Sequence, residues 1–217
     1  MNRDFEFKQL LRAYRAGIIN EATLEKELAD IERGVGNGDG GRGFEALGQT
    51  YGSEREAVVA LLDRFRAGEA NGQVAFSGWE KQVSTDCIRS GIRMIAEREG
   101  YHARILERRL ADLGVDCKAG VTDFGRKVTE KLTDSKMCDN DKLLYLTSLA
   151  PDPEAFWKPV SAFVDRIKDD QESKELFKLY IQDELSSGKW LAYACEALNG
   201  SAKAPSAPMG VSAGEAV

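Results

Sequence analysis

The chain has one histidine, and the residue three places before it is a glutamate: Glu99 and His102 sit within AEREGYHARILERRL. A Glu-x-x-His pair on a helix puts a carboxylate and an imidazole on one side, about one turn apart, where both can bind a single metal ion. The other chemistry open to such a pair is a hydrogen-bonded polar network. Its phase separates it from an ordinary surface pair. Ile88, Ile92, Ile95, Leu106, Leu110 and Leu113 recur at steps of three and four, the period of one helix face. Glu99 and His102 fill the gap between Ile95 and Leu106 in that same stripe. A carboxylate is very costly to bury unpaired, so the pair asks for a shared cation or for polar partners.

The helix before this one offers a second inward carboxylate. Ser53, Glu54, Arg55 and Glu56 have the S-x-x-E form of a capping box, which predicts a long helix from there to about Lys81. Val58, Leu62, Phe65, Gly72, Phe76 and Trp79 form its apolar stripe, and Glu69 fills the gap between Phe65 and Gly72. Antiparallel neighbours bring together residues equally distant from their turn. The midpoint between Glu69 and Glu99 is Ser84, beside Thr85 and Asp86, all residue types that cap helices. The two glutamates are therefore expected to meet.

Two further helices are expected towards the C-terminal end. Pro151 and Pro153 close a region of two short helices, near Val121 to Leu132 and Asp141 to Leu149, and open a helix carrying Phe156, Val160, Phe163 and Ile167. Pro159 either kinks this helix or shifts its start. The last helix, from after Asp170 to about Leu198, has Phe177, Ile181, Gly188, Leu191, Cys195 and Leu198 in one stripe. Glu184 completes its phase, and Asp183 lies on the neighbouring stripe. Mirroring Glu184 across a turn near Asp170 leads to Glu154 as the nearest carboxylate, although a first-turn glutamate is also explained by the helix dipole.

The elements that position these residues define an all-α chain with four parts. Residues 1–33 read as a small N-terminal helical hairpin, residues 34–52 as a Gly-rich linker, residues 53–200 as a four-helix bundle, and residues 201–217 as a disordered tail. The hairpin is too short to fold well alone, so its apolar face either docks on the bundle or binds a protein partner.

Glu69 together with the Glu99–His102 helix resembles the ferritin-like superfamily, the carboxylate-bridged diiron four-helix bundles that include rubrerythrins and ferritins. The resemblance covers about residues 53–198 and is strongest in the first half. It implies a ferritin-like fold, metal ligation by Glu69, Glu99 and His102 with Glu99 bridging, and Glu184 and Glu154 as second-half ligands. The family pattern has an E-x-x-H on two of its four helices. Here the last helix carries Ser187 where the second histidine would stand.

Carboxylates with one imidazole suit iron, as a diiron or a single-ion site, with manganese as the alternative. A non-haem iron oxidoreductase or an iron-handling protein is the expected function. The alternative is a metal-free scaffold or partner-binding protein with a degenerate site. The four cysteines contain no C-x-x-C pair, so the resemblance further implies that electrons come from a separate donor. Dimerisation is common in such bundles.

Composition narrows the field further. A net charge of −6 without a basic face argues against nucleic acid as a partner. No apolar stretch approaches the roughly 20 residues that span a bilayer, and MNRDFEFKQLLR lacks a signal-peptide core. The cytoplasm is the expected location.

Overall fold

Ser53 opens the first long helix as its spacing predicts. Its Oγ accepts a hydrogen bond from Glu56 N–H at 3.2 Å, and Glu56 Oε2 reaches back to accept from Gly52 N–H at 2.8 Å. This helix begins a run of six in a computed structural model that describes residues 44–201 together with Tyr14, Asn20, Glu21, Leu24, Glu25 and Leu28. The helices are α1 (Glu54–Glu80), α2 (Asp86–Asp112), α3 (Asp123–Thr133), α4 (Asp139–Leu149), α5 (Pro153–Asp165) and α6 (Gln171–Ser201). None of the described helices is long and apolar enough to cross a membrane.

Two short strands, β1 (Phe44–Ala46) and β2 (Gln49–Tyr51), precede α1 and pair antiparallel with Phe44 opposite Tyr51. They correct part of the linker expected over residues 34–52. Leu47 and Gly48 both take positive φ, which makes the tight turn. Ala46 is buried, and the Phe44 ring meets Phe163 edge-on at 6.0 Å, so the hairpin gains an apolar contact with α5. Residues 34–43 and the tail beyond Ser201 lie outside the described residues. So does most of the expected N-terminal hairpin, although Tyr14, Glu21, Leu24, Glu25 and Leu28 are helical.

α1 and α2 pack against each other as an antiparallel hairpin, and α3 covers α1. α4 and α5 both pack on α6. α5 meets its N-terminal half, with Phe163 against Phe177, while α4 meets its C-terminal end, where Asn140 bonds Asn199 at 3.2 Å. The partner of α6 is thus two helices in succession. Pro151 and Pro153 enforce the break, because a residue before proline is pushed away from helical backbone, and Ala150 and Asp152 both leave it. Asp152 then caps α5, accepting from Ala155 N–H at 3.0 Å. Pro159 stands inside α5 on the exposed side, where solvent can satisfy the carbonyl it leaves free.

The buried apolar residues form two clusters. One joins Val58, Leu61 and Leu62 of α1 to Leu106 and Leu110 of α2 and to Phe163 and Phe177. The other joins Phe76 and Trp79 to Ile88, Ile92, Ile95 and Leu143. Along α2 the stripe passes from the second cluster to the first through Glu99 and His102, both buried. The polar pair divides the core into two halves.

Candidate metal centre

Glu69, His102 and Glu184 each offer a ligand atom within 4.8 Å of the other two, and the cluster is buried inside the helical bundle. Such a group of one imidazole and two carboxylates can coordinate a metal ion. α1 supplies Glu69 and α2 supplies His102 from their facing stripes, and α6 brings Glu184 across from the other side. The α1–α2 hairpin also brings Glu99 against Glu69, as the turn at Ser84 predicts. Gly72 makes this approach feasible, since a Cβ there would overlap the Glu99 carboxylate.

The imidazole of His102 is 1% exposed and fixed at both nitrogens. Nδ1 lies 3.1 Å from Glu69 Oε2 and 3.5 Å from Glu184 Oε1, while Nε2 lies 3.1 Å from Asp183 Oδ2. Tyr180 donates its hydroxyl proton to Glu69 Oε1 at 2.8 Å. The tyrosine is held between Phe65, at 5.2 Å between ring centroids, and Trp157, at 5.5 Å. Its own ring meets His102 edge-on at 5.1 Å. Glu69 and His102 are therefore both held from behind by packed or hydrogen-bonded groups.

Negative charge is in excess here. Burial pushes the Glu99 carboxyl well up, and the nearby charges of Glu69 and Glu184 push it further. Burial likewise raises Glu184, against the opposing attraction of His102, whose Nδ1 lies 3.5 Å away. Tyr180 is raised by burial and then by Glu69 and Glu184. Burial works against charging His102, but its contacts with Glu184, Glu69 and Asp183 win and push its pKa up to about 10. All four groups respond as expected where a cation is wanted.

A count of donors points the same way. Even as an imidazolium, His102 has two N–H groups, and their shortest contacts are with Glu69 and Asp183. Tyr180 uses its proton on Glu69. Glu184 Oε1, fully buried, is left with no hydrogen-bond partner. Arg98, the other cation at this layer, donates from Nη1 to Ser187 Oγ and to the Asp183 carbonyl, both at 2.9 Å.

Of the five sequence-derived candidates, four converge: Glu69, Glu99, His102 and Glu184. Glu154 does not. Its side chain is 69% exposed and its Oε1 accepts from Lys189 Nζ at 2.7 Å. Trp157 of α5, and not Glu154, joins Glu184 in lining a cavity of the bundle. Glu154 was expected only as the carboxylate nearest to the mirrored position of Glu184, and it falls in the solvated first turn of α5, one residue after Pro153.

Sequence reasoning also missed how Asp183, Tyr180 and Arg98 are used. Tyr180 and Asp183 share a stripe with Ser187, a signal that this second face of α6 turns inward at the same level. Compared with known proteins, the chain matches no family model, no curated protein and no solved structure.

Proposed function

We propose that Glu69, His102 and Glu184 hold a single divalent cation, iron or manganese, and that the protein is a ferritin-like metalloprotein acting as a non-haem oxidoreductase or iron handler. The observation that carries this reading is the buried Glu184 Oε1, which lies 3.5 Å from His102 Nδ1 and makes no hydrogen bond. The donor set fits the metal: two hard carboxylate ligands and an imidazole presenting Nδ1.

Asp183 would accept the Nε2–H proton, fixing the tautomer that leaves Nδ1 free as a ligand and making the imidazole more basic. Tyr180 holds one oxygen of Glu69 and so directs the other towards the centre. Glu99, against Glu69 and Gly72, can keep a proton in the apolar surroundings and is placed to take or release one. Arg98 on Ser187 supports a single ion, because it puts a fixed positive charge beside the position of the missing second histidine. A bound iron would supply one-electron redox chemistry, with coordination positions left over for a small molecule.

A second reading is favoured by the complete pairing of both His102 nitrogens. In it the imidazolium itself is the cation, and the protein is a metal-free scaffold. Metal analysis separates the two. Protein purified without a histidine tag and given anaerobic ferrous iron is expected to hold about one ion per chain. In the Glu99→Ala/His102→Ala protein that binding is lost. A folded wild type that holds no iron or manganese leaves the scaffold.

A further inference from the structure

The break between α4 and α5 lies beside the carboxylate layer, and a cavity of about 170 Å³ opens there. Ala150 and Pro153 line it from the break, and Gly188 lines it from α6. Space there is limited by design of the backbone, for a Cβ on residue 188 would lie 3.2 Å from the Pro153 ring. Phe76, Ile95, Leu191 and Trp157 supply apolar walls, and Phe156, largely exposed, stands at the rim. Among the described residues that line it, Glu99 and Glu184 are the only charged types, and Ser187 is the other polar side chain.

We propose that this cavity binds a small neutral molecule, with an apolar body the size of one six-membered ring and a hydroxyl directed at Glu99 and Glu184. Size and polarity set the class. An apolar cavity of about 150 Å³ is enough to hold benzene, so this one has room for a single ring and a substituent. The walls disfavour a charged body. The carboxyl oxygens accept hydrogen bonds, no cation among the described residues lines the cavity to receive an anion, and Glu184 Oε1 is a buried acceptor that makes no hydrogen bond. A phenol or an alcohol of similar size satisfies all of these conditions, and a carboxylic acid does not.

Binding stands on the cavity alone. That the bound molecule is the substrate rests on the metal reading above, because Glu184 belongs to both the cavity and the cluster.

The test uses the full chain after chelation of metal and follows the methyl resonances of Ile95 and Leu191 while phenol, toluene and benzoate are added separately. Phenol is expected to shift both methyls saturably, with a dissociation constant in about the millimolar range for so few atoms. Benzoate is expected to bind at least about tenfold more weakly, because its charge would enter mostly apolar walls with no cation among the described lining residues. Ala150→Leu, which adds bulk to the lining, lowers phenol affinity about tenfold with an unchanged unfolding transition. Leu191→Phe, read at Ile95, serves as a second filling variant.

No saturable shift in the wild type overturns the proposal. So does benzoate binding as tightly as phenol, or undiminished phenol affinity in a folded filling variant. Manganese titrated into the same proteins keeps the two readings apart. Phenol binding without manganese binding removes the metal and leaves the cavity, and manganese binding without phenol binding does the reverse.

Discussion

The buried Asp139 at the closed end of the α1–α2 hairpin and the carboxylate cluster in its middle are built on opposite principles. At the closed end Asp139 is fully satisfied. Its Oδ1 accepts from Trp79 Nε1 at 2.8 Å, and its Oδ2 accepts from Ser84 N–H, Ser84 Oγ and Thr85 N–H at 2.9 to 3.0 Å. Burial alone would raise its pKa, but these hydrogen bonds outweigh it and hold the carboxyl below its usual range. In the middle, carboxylates crowd around one imidazole, burial raises the pKa values of Glu99 and Glu184, and one buried oxygen makes no hydrogen bond. A carboxylate that ties a turn together is given its donors by the chain. One that waits for a ligand is not.

Removing each should therefore have different consequences. Asp139→Ala leaves the Trp79 indole, the Ser84 hydroxyl and two backbone N–H groups without their partner and removes a negative charge near the buried Lys142, and is expected to destabilise the fold by about 3–5 kcal/mol in urea unfolding. Metal is not expected to alter that loss. In the central layer the largest effect should instead depend on metal. Manganese at about 100 times its dissociation constant should stabilise the wild type by about 2.7 kcal/mol in thermal unfolding, and His102→Ala should abolish the gain. A gain that survived in His102→Ala would place the metal elsewhere.

A smaller effect, of opposite sign to that at Asp139, sharpens the contrast. Glu99→Gln keeps the shape and removes a carboxylate that is costly to charge, so metal-free protein should gain about 1 kcal/mol. Destabilisation in the same thermal scan would mean that the central layer, too, is a structural tie.

The pH profile of metal-free unfolding gives the finest comparison. His102 is raised when folded, so its contribution is complete below its ordinary value of 6.5 and is lost as pH rises through about 10. Asp139 is lowered, so its contribution is present above the ordinary aspartate value and is lost only as pH falls through its folded value. His102→Ala should flatten the alkaline limb alone, and Asp139→Ala the acid limb alone.

The parts of this design that the sequence discloses are those governed by local period. The stripe of α2 places Glu99 and His102 inward, and the cap at Ser53 with the turn at Ser84 sets the level of Glu69. Contacts set by packing between distant segments are not disclosed. Asp183 meets His102 only because of the way α6 is rotated against α2, and a helical period cannot fix that rotation between two helices. Glu154 was placed by mirroring Glu184 across the turn near Asp170, which gives a level but not the face of α5 that turns inward. The β1–β2 hairpin follows a glycine-rich stretch that hides it, and its stability comes from Phe163, more than a hundred residues away.

The contact between Gly72 and Glu99 also bears on how the two long helices find one another. Apolar stripes repeat with every turn, so two such helices can slide by three or four residues and still bury leucine against leucine. A slip here would drive the Glu99 carboxylate into a side chain on α1 and carry charge into an apolar half-core. The polar layer thus acts as an alignment key, costly in every register but one. The chain would assemble its ligands in register before any ion arrived.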